Sequence, residues 1–86
     1  MKIIYKKLRG LYGQAHLGEG TIEIDSRIKG KKLLEILLHE SLHIYLPKKD
    51  EAFIVKLSVN LCNILWNEQY RQVDNTNITP MQDDSF

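Results

Sequence analysis

The feature that most constrains this chain is the stretch LLEILLHESLHIYLPKKDEAFIVKLSVNLCNILW, residues 33–66. It is mostly apolar, and Pro47 divides it, because the residue before a proline avoids helical dihedrals. The spacing predicts one helix from about Lys31 to Tyr45 and a second running to about Tyr70. Asp50 is placed to cap the second helix by accepting from its first free N–H groups. The connection PKKD is short, so the two helices are expected to be antiparallel neighbours. Four titratable side chains interrupt this apolar run: His39, Glu40, His43 and Glu51.

The first helix leaves no broad polar face. Leu33, Leu34, Ile36, Leu37, Leu38, Leu42, Ile44 and Tyr45 surround it, and a helix apolar all round is expected to be buried. His39 and His43 stand one turn apart, so both rings leave the same side. Glu40 is offset from His39 by about 100° and from His43 by about 60° at 3.6 residues per turn. The second helix has a polar stripe of Lys56, Asn60, Asn63 and Asn67. Opposite lie Ile54, Val55, Ser58, Leu61, Cys62, Leu65 and Trp66, and Glu51 projects from that apolar face. A carboxylate there is costly unless it is paired or bound to metal. The end of one helix meets the start of the other, which places Glu51 close to His43.

Two imidazoles and a carboxylate converging between helices suit a three-ligand zinc site with a fourth position open for water. The ligands are then His39, His43 and Glu51. Glu40 stands beside the metal, where it can hold the water and take its proton. HESLH (39–43) is the H-E-x-x-H motif of metalloproteases. From average residue usage it arises by chance roughly once in a few hundred chains this short.

Other readings of the same residues stand beside this one. The histidines can be core groups bonded to carbonyls. Glu51 can be an acid favouring the helix dipole, with Asp50 the ligand in its place. Cys62 shares the direction of Glu51 but lies about 16 Å further along the axis, so it reads as core. His16 reads as an exposed or satisfied histidine.

Before the helices, KIIYKKL (2–8), LYGQAHL (11–17) and TIEID (21–25) have strand character, with the turn signal GEG between the last two. The second of these is expected to pair with the first. The expected fold class is α+β: a small antiparallel sheet of two or three strands followed by two antiparallel helices.

With 86 residues the chain is one domain, read here as 1–71, with residues 72–86 a mobile polar tail. Its core is small enough for a metal to supply part of its stability. A single cysteine excludes an intrachain disulfide. No segment is long enough to span a membrane and the N-terminus lacks a signal-peptide run, so the expected location is cytoplasmic. Residues 1–49 carry ten Lys/Arg against five Asp/Glu, and residues 50–86 carry two against six. A basic half can serve nucleic acid, but no aromatic–basic interleaving or known motif supports that.

At HESLH the sequence resembles the minimal zincin-like metallopeptidases of phage and bacterial genomes, relatives of the SprT-like and ImmA/IrrE-type proteins. The resemblance covers residues 11–70 through YGQA, GTIEID, LLEILLHESLH and DEAFIVKLSVNLCNILW. It implies that His39, His43 and Glu51 bind zinc and that Glu40 is the general base. It also implies a peptide or protein substrate paired to an edge strand, with 21–25 the candidate. Tyr12 and Tyr45 are the candidates for steadying the oxyanion. The expected activity is zinc-dependent peptide hydrolysis. The alternative is a zinc-stabilised module that binds a peptide or protein without useful turnover. No oligomeric state is implied.

Overall fold

A computed structural model describes residues 1–73. The order of elements is β1 (Lys2–Lys6), β2 (Gly13–His16), β3 (Thr21–Asp25), α1 (Gly30–Tyr45) and α2 (Glu51–Asn67). The expected α+β class and both helices are found. The expected tail lies outside the described residues from position 74 onward. No described helix is long and apolar enough to cross a membrane.

The sheet differs from the expectation in two ways. Its order is β1-β3-β2, and β3 pairs with β1 in parallel and with β2 antiparallel. It is therefore a mixed sheet, and β2 does not pair with β1. TIEID is the central strand, hydrogen-bonded on both sides, so 21–25 cannot be the edge that receives a peptide. The physical reason lies in burial. Ile22 and Ile24 are fully enclosed, and the strand carrying them takes the middle of the sheet. β1 carries Lys2 and Lys6, which suit an edge.

One sheet face packs on α1. Ile22 and Ile24 of β3 meet Leu33 and Ile36, with Ala15, Leu37 and Ile44 around them. The register sets Gly13 opposite Ile24 and Ala15 opposite Ile22, so β2 offers α1 only these two small residues on that face. α1 packs on β2 and β3 and does not reach β1. Ile3 and Tyr5, in register with Ile22 and Ile24, consequently stay exposed.

α2 packs on α1 through Ile54, Ser58 and Cys62, which recur every four residues and are its buried face. Cys62 is core, as expected, and its Sγ lies 3.6 Å from the Lys31 carbonyl oxygen at the start of α1. Glu51, at the other end of α2, reaches His43 near the end of α1. The helices are therefore antiparallel. Asp50 caps α2 as expected, its Oδ1 accepting from the Phe53 N–H at 2.8 Å. Two burial expectations fail. Of α1 only Leu33, Ile36 and Glu40 are buried, because one side of this helix meets neither sheet nor α2. Val55 is exposed, because the face turned to α1 is narrower than the apolar face of the sequence.

Candidate metal centre

The turn spacing of α1 brings His39 Nε2 and His43 Nε2 to 3.2 Å, with the rings edge to face. The cap at Asp50 starts α2 so that Glu51 is its first residue and its carboxylate faces both rings. Glu51 Oε1 is 3.1 Å from His39 Nε2 and 2.9 Å from His43 Nε2. These three atoms form a nearly equilateral triangle.

With the carboxylate ionised and the imidazoles neutral, protons join at most two edges of this triangle. A carboxylate oxygen only accepts, and each neutral imidazole Nε2 either donates or accepts. If both nitrogens donate to Oε1, the 3.2 Å edge between them carries no hydrogen bond. If one nitrogen donates and the other accepts, the accepting nitrogen sets its lone pair against Oε1. Either way one edge of the triangle is left without a hydrogen bond, whereas a cation at the centre is attracted to all three donor atoms at once. Zinc bonds of about 2.0–2.1 Å place tetrahedral ligand atoms about 3.3 Å apart, close to the spacing here. The three side chains could thus hold a metal ion. Among the described residues the group has three members, one fewer than the four of closed structural zinc sites.

Glu40 lies between the histidines in sequence and is 7% exposed. Among the described residues no hydrogen bond or ion pair to its carboxyl is found. Yet no fully enclosed side-chain oxygen lacks a partner, so the Glu40 oxygens open to the surface. Burial pushes this carboxyl above its ordinary value, and nearby Glu51 adds to that, while charge on His39 or His43 opposes it. A buried, unpartnered and easily protonated carboxyl fits acid–base work.

The other sequence candidates fall elsewhere. Glu51 is not in an apolar core: its side chain is 66% exposed, against 18% and 26% for His39 and His43. It begins α2 where α1 is ending, and among the described residues no third layer covers that corner. Asp50 is occupied as the cap. His16 sits on β2 with its Nε2 3.3 Å from Glu23 Oε1, a satisfied surface histidine. Tyr12 and Tyr45 are exposed, and neither hydrogen-bonds to the cluster among the described residues. Tyr12 instead carries the Lys32 ammonium over its ring at 4.7 Å.

The sequence reading missed Gly13. A β-carbon there would fall 3.2 Å from Glu40 Cγ, so β2 runs directly beside Glu40. A glycine within a strand pattern is itself a signal of close approach.

No family model matches the chain, and comparison with curated proteins and with solved structures found no match.

Proposed function

We propose that this chain is a zinc-dependent peptidase in which His39, His43 and Glu51 hold the ion and Glu40 is the general base. The observation that carries the reading is the convergence of three donor atoms within 2.9–3.2 Å beside a buried carboxyl. Two neutral imidazoles and one carboxylate are a donor set suited to zinc. When bound, zinc would acidify water toward neutrality and polarise a carbonyl. Glu40 then takes a proton from the attacking water and returns it to the amine nitrogen that leaves. Its burial favours the protonated form that the second transfer needs.

The peptide substrate belongs on β2. The Asp25 N–H donates to the Tyr12 carbonyl at 2.8 Å, and the register alternates from there. The backbone groups of Gly13 and Ala15 therefore point away from β3, toward an edge that is open among the described residues. That edge, Gly13–His16, has no lysine or proline to keep another strand off, unlike β1. An extended peptide added there runs past Glu40.

The test is hydrolysis of a library of short unstructured fluorogenic peptides. Glu40→Gln should keep its zinc and lose at least about 100-fold in kcat, the scale of a positioned proton transfer. Equal hydrolysis by parent and variant would reject the assignment. The second reading, a zinc-stabilised peptide-binding module, draws on the same open β2 edge. It requires that the zinc-loaded parent bind library peptides and leave them intact.

A further inference from the structure

We infer that Gly13 is a positioning residue: its missing side chain lets β2 press on Glu40 and fix where that carboxyl sits. This rests on the reading of Glu40 as general base.

Glycine is not required at this position by the backbone. Gly10, Gly20 and Gly30 have positive φ, and Gly13 does not. Glycine inside a strand is less stable there than alanine. The reason for glycine is what stands against it. A β-carbon would lie 2.9 Å from Ile36 Cγ2, 3.0 Å from the Glu23 carbonyl oxygen and 3.2 Å from Glu40 Cγ. Ile36 and Glu40 are one turn apart on α1, so the strand seats its bare Cα in the space between their stems.

Glu40 needs such a seat. A buried carboxyl is usually oriented by hydrogen bonds, and none reaches this one from the described residues. Its oxygens open to the surface, so what the described residues fix is its stem, by packing. Gly13 supplies that wall on the side of the open edge, where the proposed substrate lies. A displacement of about 1 Å in a reacting group can lower a rate about 100-fold. The three atoms nearest that β-carbon belong to Ile36, Glu23 and Glu40 and none to His39, His43 or Glu51, so the tightest contacts fall on the base and not on the donor triangle.

The test is Gly13→Ala, made alone and together with Ile36→Leu. Leucine keeps the volume of isoleucine but lacks Cγ2, which removes the tightest contact and protects folding if the single variant is unstable. The Glu40 contact remains in both. In the zinc-loaded proteins, with the best-cleaved library peptide, kcat should fall 10- to 100-fold in Gly13→Ala and stay low in the double variant. Ile36→Leu alone should stay within threefold of the parent. KM and zinc per chain should stay within about twofold. Crystal structures superposed on α1 should show the Glu40 carboxyl moved while His39 Nε2, His43 Nε2 and Glu51 Oε1 keep their triangle. Parental kcat in the double variant, a rise in KM in place of the kcat loss, or an unmoved Glu40 carboxyl would overturn the inference. If the parent hydrolyses nothing, the peptidase reading fails by itself, and the crystallographic comparison still decides whether Gly13 sets Glu40.

Discussion

Asp50 and Glu51 are adjacent acids with separate tasks, and side-chain reach explains the division. Asp50 is short and non-helical at the cap, so its carboxylate turns back on the Phe53 N–H. Glu51 is longer and already helical, so its carboxylate extends to the two histidines. Asp50→Ala should therefore cost about 1 kcal/mol of stability, the usual worth of a cap, and keep the metal. Chemical denaturation with metal analysis checks this; loss of metal in Asp50→Ala would mean that the acids are exchanged. His39 and His43 were legible as a pair because helical spacing sets both on one side, and Glu40 because the H-E-x-x-H pattern puts it beside them. Glu51 was legible in direction but not in surroundings: periodicity located it on an apolar face, yet the helix end carries that face beyond its cover. Gly13 was not legible, because the reason for it is a neighbour 23 to 27 positions away.

At the scale of elements, helices were readable and strand neighbours were not. A period of 3.6 and a proline define α1 and α2 locally. Alternation defines a strand but is silent about which strands flank it. The lysines of β1 and the enclosed isoleucines of β3 hold the information in hindsight. The end of β3 is held by Asp25, whose carboxylate accepts from the Leu8 N–H, the Arg27 N–H and the Arg27 guanidinium. Arg27 in turn donates to the Leu8 carbonyl, which ties the exit of β1 to the connection before α1. The guanidinium bonds, then the backbone ones, hold this carboxyl far below the ordinary aspartate range. A depressed carboxyl contributes stability above its unfolded value, near pH 4, and loses it as pH falls through the lower folded value. The stability gap between parent and Asp25→Asn should be full at neutral pH and should narrow below about pH 4. A gap independent of pH between 2 and 7 would contradict this origin. At the other edge, Ala15→Pro removes an outward N–H and leaves the pairing with β3. It should raise KM for peptides several-fold with less change in kcat; an unchanged KM would place the peptide elsewhere.

For the whole molecule, the core is thin, and the donor triangle joins α1 to α2 at the corner farthest from Cys62. A metal held there would act as a clamp on the helix pair. At 100 times its dissociation constant a ligand adds about 2.7 kcal/mol, and in a domain this small each kcal/mol moves Tm by about 4–8 °C. Chelation should thus lower Tm by about 10–20 °C, and thermal melts with and without chelator check it. The most direct measurement is zinc per chain, by elemental analysis of the parent and of Glu51→Ala after exhaustive dialysis. The account predicts about one zinc in the parent and a large loss in Glu51→Ala, because a three-ligand site reduced to two binds poorly. A metal-free parent, or full occupancy in Glu51→Ala, would contradict it.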